Sequence, residues 1–295
     1  MDPGLWMASL HGGHCGEFCE HARGTLRGAL DAAVEAGFRI YGLSEHAPRY
    51  EQHHIYDSER AKGYTLERLQ LEFERYAEES RRMQRLFEGR LSVLRGFEVE
   101  VVPSDRYAEL MQGLRSRHAF DYMVGSVHHV AGISIDESPR QFGAAVDACG
   151  GLEPFAVRYY ETVRQMIEDL QPEVVGHFDL LKLHAPAGTD LATPRIRRAA
   201  EKALAAALAG GCILDLNTAG WRKGLGEPYP GPWIVQAATA AGIPFCFGDD
   251  SHDPSEVGYG IERARQYLLS NGVASVTILE SSGRTLARRA VLLPM

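Results

Sequence analysis

Three histidines, two cysteines and two glutamates fall within the eleven-residue run HGGHCGEFCEH, as His11, His14, Cys15, Glu17, Cys19, Glu20 and His21. Imidazole, thiolate and carboxylate are the groups that bind Zn²⁺, Mn²⁺ or Fe²⁺. The same residue types recur where short apolar runs end: His46 closes RIYGLSEH, Glu98 lies in LSVLRGFEVE, His128 ends DYMVGSVH, His177 follows EVVG, and Asp250 and His252 end IPFCFGDDSH. A single histidine at a strand end is more often a hydrogen-bonded structural residue than a ligand. Unrelated histidines, however, fall on helices and loops as readily as on strand ends, so this recurrence points to one shared site. Seven to nine such groups are too many for a single four-coordinate zinc, which implies two or three ions. Clustered ions about 3.5–4 Å apart polarise phosphoryl oxygens and convert a bound water to hydroxide near neutral pH, so a phosphoester is the expected substrate.

These residues need strands to carry them. Seven strand-like runs, at 5–11, 39–46, 91–100, 121–129, 173–180, 212–219 and 243–252, alternate with helix-like stretches. Leu26, Ala29, Leu30, Ala33 and Val34 recur at helical spacing between Thr25 as N-cap and Gly37 as stop. Residues 65–88 keep Leu66, Leu69, Phe73, Tyr76, Met83 and Phe87 on one face. Further helices are expected at 152–170, at 193–210 behind Thr193-Pro194, and from Trp233 to Ala241. Such alternation predicts βαβ crossovers and a parallel sheet, open or closed, whose carboxyl-terminal strand ends collect the functional residues. The polar stretch 50–64 is expected to be a loop long enough to act as a lid, and residues 1–295 are read as one domain.

Composition narrows the classes. With 45% hydrophobic and 24% charged residues the chain reads as globular, and its net charge of −8 argues against nucleic acid as the main partner. Apolar runs such as KALAAALAGGCILDL are broken by Lys202 and Gly210-Gly211 before reaching the ~18 residues of a membrane span, so no membrane partner is expected. Five scattered cysteines without CxxC pairs fit a reducing compartment, and MDPGLWMASL lacks the pattern of a secretory signal, so the cytoplasm is the expected location. Cys19, Cys149, Cys212 and Cys246 read as small buried apolar residues.

Taken in order, SLHGGHCGEFCEHA, GLSEHAPR, GFEVE, VGSVHH, VVGHFDLLK, LDLNTAGWRKGLGEPYP and FGDDSHDPSEVG resemble the histidinol-phosphate phosphatases of the PHP (polymerase and histidinol phosphatase) superfamily, over residues ~9–260. The resemblance implies an α/β fold, a distorted (β/α)7 barrel with its metal site at the carboxyl-terminal strand ends. It also implies a cluster of two or three zinc, manganese or iron ions, and hydrolysis of L-histidinol phosphate to L-histidinol and phosphate in histidine biosynthesis. Carried onto this chain, it makes His46, Glu98, His128, His177, Asp250 and His252 metal ligands, with Glu98 bridging two ions. The first motif departs from the family, in which two histidines are separated by one residue and a third follows six positions later. Here the gaps are three and seven, one residue longer each, which suggests a bulge or rearranged loop. His11, His14 and His21 are the ligand candidates there, with Glu17 and Cys15 as alternatives.

Other groups follow from the same pattern. Lys182 stands where the family carries a basic residue, and Arg222, in the glycine-punctuated NTAGWRK loop, has the guanidinium fork that grips phosphate through two parallel hydrogen bonds; both are expected to bind the substrate phosphate, with Lys223 a weaker candidate. Asp250 or His252 is expected to help move a proton. Strand alternation sends His129 away from His128 and Asp249 away from Asp250, so Asp249 is expected to orient a liganding histidine from behind. His53, His54, His118 and His184 are read as bystanders. Two other readings keep the fold: a phosphoesterase acting on a nucleotide, and a metal-binding module without activity.

Overall fold

The computed structural model describes residues 4–282 and 285–295. In chain order its strands are β1 (Ala8–Gly13), β2 (Ile40–Leu43), β3 (Ser92–Glu98), β4 (Tyr122–Gly125), β5 (His129–Val130), β6 (Ile133–Ser134), β7 (Val174–Val175), β8 (Ile213–Asn217), β9 (Phe245–Ser251), β10 (Ser275–Ser282) and β11 (Thr285–Leu292). Strands β1, β2, β3, β4, β7, β8 and β9 pair in that order, all parallel, and β9 returns to β1 to close a barrel. Each of the seven apolar runs supplies one barrel strand.

The helices are α1 (Leu26–Glu35), α2 (Asp57–Ala61), α3 (Leu66–Leu86), α4 (Tyr107–His118), α5 (Pro139–Ala148), α6 (Leu152–Leu170), α7 (Pro194–Ala209), α8 (Ala219–Arg222), α9 (Pro232–Ala241) and α10 (Ile261–Ser270). Their starts are written in the sequence. Thr25, Thr65 and Thr193 each accept a backbone N–H three residues on, and Pro194 occupies the first helical position, where its missing donor costs nothing. The apolar stripe of α3 buries Leu69, Phe73, Tyr76 and Met83 while its charged face stays in water.

Inside the barrel the chemistry changes along the strands. Near the strand starts the interior is apolar, filled by Leu10, Leu94, Tyr122, Val174 and Ile213, with Ile278 and Leu279 of β10 packed beneath them. The antiparallel β10–β11 hairpin thus caps the mouth opposite the charged end. Toward the carboxyl ends the buried side chains become His11, Glu98, Asp215 and Asp250.

Two local departures shape that end. The pairing of β1 with β9 shifts register on both sides of His11, which is where the lengthened first motif called for a bulge. Gly13 follows at φ +99°, where a Cβ would run into the backbone of Ser251. Gly13→Ala is therefore expected to destabilise the fold by about 1–3 kcal/mol and to displace His14, read as a lowered Tm together with reduced metal content. The 50–64 stretch, expected as a loop, contains a short turn at Gln52–His54 and α2. Glu137 accepts the N–H groups of Asp57 and Ser58 at the start of α2, so this segment is tied to the loop before α5.

Candidate metal centre

Six strand ends meet over one carboxylate. β1 delivers His11 and, past its bulge, His14; the segment after β2 delivers His46; β3 ends on Glu98; the segments after β4 and β7 bring His128 and His177; β9 brings Asp250, with His252 just beyond. Glu98 is 1% exposed. Its Oε1 lies 3.4 Å from His11 Nε2, 3.3 Å from His128 Nε2 and 2.9 Å from His177 Nε2. Its Oε2 lies 3.4 Å from His14 Nε2 and 3.2 Å from His46 Nδ1. Asp250 Oδ1 stands 3.5 Å from His14 Nε2 and 3.9 Å from His11 Nε2.

This donor set fits divalent cations. Five imidazoles cannot all donate to two carboxylate oxygens, and His11 Nε2, His14 Nε2 and His46 Nδ1 are buried without a hydrogen-bond partner. Several triads of ligand atoms are close enough to share an ion, among them His11–His14–Glu98, His11–His177–Asp250, His46–Glu98–His128 and His14–His46–His252. In the metal-free chain the crowding appears as opposed proton affinities. Burial alone would depress His11, but Glu98, Asp250 and the Asp215 hydrogen bond outweigh it and push it up to about 10. His14 and His128 rise against burial for the same kind of reason, while burial with the charge of His14 holds His46 and His252 well below their ordinary value. Glu98 and Asp250 stay well below the usual carboxylate range, because the surrounding imidazoles overcome the burial penalty.

The outer layer was not visible in the spacing. His11 Nδ1–H donates to Asp215 Oδ2 at 2.8 Å and His14 Nδ1–H to Glu45 Oε1 at 3.1 Å, which turns each Nε2 lone pair toward the cluster. Asp215 Oδ1 also accepts the backbone N–H of His177 at 2.6 Å. Glu100 lies 3.5 Å from His128 Nδ1 and 3.4 Å from His129 Nδ1. Asp215→Asn removes the charge that orients His11 and is expected to lower metal affinity or kcat/KM roughly 10- to 100-fold, measured by titration of the metal-free protein and by phosphate release. Backbone strain collects at the same place: His177 has φ +22° and Asp250 φ +46°, conformations that persist because neighbours hold them.

Arg222 is one of those neighbours. Its two terminal nitrogens donate to the carbonyls of Asp249 (2.9 Å) and Asp250 (2.5 Å), and its Nε faces Glu256 at 3.2 Å. The paired donors expected to grip phosphate thus brace the Asp250 turn, although the side chain still lines the cavity. Lys182 is a clearer correction. Its ammonium donates to Asp179 (2.9 Å), Glu227 (2.8 Å) and the carbonyl of Pro228 (2.8 Å), acceptors that saturate it away from the cavity lining. Lys223, ranked below both, lines the cavity, its ammonium makes no hydrogen bond or ion pair among the described residues, and its charge reaches Asp250 and His252.

The first motif sorts as follows. Glu17 accepts the N–H of Leu26 at 2.8 Å, capping α1, and Cys15 packs in the core, so neither replaces a histidine at Glu98. His21 stands at the cavity rim, its ring 5.4 Å from that of His46 and 5.1 Å from that of His252. Cys19, read as an inert apolar residue, places its sulfur within 4.8 Å of ligand nitrogens of both His21 and His46. Asp249 differs from expectation. Its carboxylate takes bonds from Ser9 (2.9 Å), Tyr41 (3.1 Å) and the N–H of Gly258 (2.7 Å), which ties β1 and β2 to the segment after β9 and touches no histidine. Alternation correctly turned it away from Asp250, but no ligand lies on that side. His128 and His129 do not split to opposite faces, because β4 stops at Gly125 and both rings reach Glu100. Of the bystanders, His54 is buried and faces the ring of His129, and His184 Nε2–H donates to the carbonyl of Asp136.

Above the cluster opens a cavity of about 880 Å³. Comparison with known proteins matches residues 12–219 to the PHP domain. The chain is 31% identical to a "Probable histidinol-phosphatase" of Schizosaccharomyces pombe, over 90% of this chain and 88% of that protein. It is 34% identical to one of the same name from Deinococcus radiodurans, over 93% and 96%. Among solved structures, hisK from Listeria monocytogenes superposes with TM-score 0.75 at 27% identity, covering 87% of this chain and 99% of that one. Histidinol phosphate phosphatase from Lactococcus lactis, solved with zinc, L-histidinol and phosphate, superposes with TM-score 0.70 at 16% identity over 95% and 98%, a likeness of fold.

Proposed function

The chain belongs to the PHP domain family, and from that premise we propose how its residues carry out the hydrolysis of L-histidinol phosphate to L-histidinol and phosphate. The protein is a phosphoric monoester hydrolase of the histidinol-phosphatase kind, acting on a small phosphorylated substrate of histidine biosynthesis and dependent on divalent metal. The observation that carries the reading is the meeting of five imidazoles on the two oxygens of Glu98 at the floor of a cavity large enough for such a substrate.

His11, His14, His21, His46, Glu98, His128, His177, Asp250 and His252 would hold two or three zinc, manganese or iron ions. When bound, such ions polarise the phosphoryl oxygens and generate a nucleophile from water at neutral pH. The chain's own groups do the rest. Lys223 neutralises an outer phosphate oxygen, and Arg222 fixes the turn that presents Asp250. Asp250, ionised in its crowd of imidazoles, orients by charge. The Nδ1–H of His252 donates to the carbonyl of Asp250 at 3.0 Å, so its Nε2 carries the lone pair. That lone pair is the one His252 would offer an ion, so it is not at the same time a free proton acceptor.

Among the described residues no helix is long and apolar enough to cross a membrane. We read residues 1–295 as one catalytic unit working in the cytoplasm. Turnover of histidinol phosphate and a nucleoside 3′,5′-bisphosphate, side by side, tests the substrate. The expected result is a kcat/KM at least about tenfold higher for histidinol phosphate, and the reverse order would move the chain to the nucleotide reading.

A further inference from the structure

The cavity is not uniformly suited to an anion. Beyond the ligand cluster its wall carries four carboxylates, Asp57, Asp136, Glu137 and Glu256. Three are already committed. Asp57 pairs with Arg60 and Arg140, Glu137 caps α2, and Glu256 faces Arg222 and accepts the N–H of His252 at 2.8 Å. Asp136 is different: the Ser134 hydroxyl donates to its Oδ1 at 3.1 Å, and its Oδ2 has no partner among the described residues.

A second, independent observation lies beside it. Tyr56 is only 6% exposed, it lines the same cavity, and its phenolic oxygen has no hydrogen-bond partner. A buried hydroxyl left unmatched costs about 1–3 kcal/mol, so its presence calls for a polar group from a ligand. Its ring is held rigidly, stacked on His129 at 5.9 Å and beneath the Arg49 guanidinium at 4.6 Å. Asp136 lines the same cavity as Tyr56, His21 and His128.

We propose that Asp136 and Tyr56 form the subsite for the substrate's ammonium group, so that this centre selects phosphate esters of amino alcohols over esters of plain alcohols. The inference rests on the histidinol-phosphate reading and deepens it. In that substrate the ammonium sits on the carbon next to the ester-bearing carbon, so a carboxylate must stand close to the phosphate site to meet it. The imidazole lies farther out and, with an ordinary pKa near 6.5, is mostly neutral at pH 7, whereas the ammonium is charged. The ammonium brings three donors. Asp136 Oδ2 takes one as a charge-assisted bond and Tyr56 Oη a second. Lys223 and Asp136 then read opposite charges on one small molecule.

The test compares histidinol phosphate with 3-(imidazol-4-yl)propyl phosphate, which differs only by lacking the ammonium. The wild-type protein is expected to prefer the amine-bearing ester roughly 10- to 100-fold in kcat/KM, the worth of a charge-assisted hydrogen bond. Asp136→Asn should erase most of that preference through KM, with metal content unchanged. An undiminished preference in this variant, or a parallel loss on both esters, overturns the proposal. Should Asp136→Asn lose metal, Tyr56→Phe carries the same comparison, with a partial loss of preference expected and an unchanged one contradicting it. A wild-type protein that cleaves the des-amino ester but not histidinol phosphate would instead overturn the underlying functional reading.

Discussion

Glu98→Gln is expected to abolish most of the activity, on the order of a thousandfold or more in kcat, and to release metal at the same time. The substitution keeps the volume of the side chain and removes only its charge. That charge is what five imidazole nitrogens share at 2.9 to 3.4 Å, three on one oxygen and two on the other. An amide offers one oxygen and an N–H₂ that points at ligands able only to accept, so ions held there would lose both a ligand oxygen and a negative charge. Losing several kcal/mol of transition-state stabilisation from displaced ions corresponds to about three powers of ten. Elemental analysis of the purified variant, run beside phosphate release, separates this account from a purely structural role for Glu98. A variant that keeps its metal and loses only stability would contradict it.

The second large effect concerns pH and metal together. In the metal-free chain His11 is raised to about 10, and His14 and His128 are raised as well. A raised histidine contributes stability that is fully present below its unfolded value near 6.5 and is lost as pH climbs through its folded value. Glu98 and Asp250 are depressed, so their contribution is present above about 4 and disappears on further acidification. His46 and His252, held below their ordinary value, pull the other way and cost stability as pH falls below about 6.5, so the metal-free protein should be most stable near pH 6.5 and weaken from there toward pH 10. Metal binding has the opposite slope, because each imidazole must surrender its proton before it can ligate. The gap in Tm between metal-loaded and chelator-treated protein is expected to widen between pH 6 and pH 9, with proton release on loading measurable by calorimetry in two buffers. A gap that narrows over that range would mean that metal does not displace protons from His11, His14 and His128.

Much of the architecture could be read from residue pattern because the elements are amphipathic in the ordinary way. The run LERLQLEFERYAEESRRMQRL holds Leu69, Phe73, Tyr76 and Met83 on one stripe, and its boundaries are set by Thr65 and Gly89. The closing hairpin was not anticipated. In β10 the adjacent Ile278 and Leu279 are both buried, since the strand lies against the barrel mouth and the hairpin partner together, and that breaks the two-residue alternation which marks a strand. Helices α4, α5 and α10 also escaped; α4, the least amphipathic, buries only Tyr107, Met111, Leu114 and His118 among many charges.

The ligand set was legible because its chemistry is rare and its positions repeat at strand ends. The carboxylates behind it were not. Asp215 in LDLN looks like any strand aspartate, and only barrel closure, with β8 between β7 and β9 and β9 paired to β1, lets one side chain meet both His11 and the backbone of His177. Asp249 was given that role on alternation, which fixes the face a side chain takes but not what waits there. The Lys182 ammonium is paired with Asp179 three positions back and with Glu227 forty-five positions on, and of these contacts the distant one is hidden from any local pattern.

The central claim is that this chain holds two or three divalent ions on the histidines around Glu98 and uses them to cleave histidinol phosphate. Elemental analysis of the purified protein, coupled to phosphate release from histidinol phosphate before and after chelation, tests it in one experiment. The account predicts two to three ions per chain, rapid release, loss of release on chelation and its return on adding zinc, manganese or iron. Metal-replete protein that releases no phosphate from histidinol phosphate, or release that survives complete removal of metal, would contradict it.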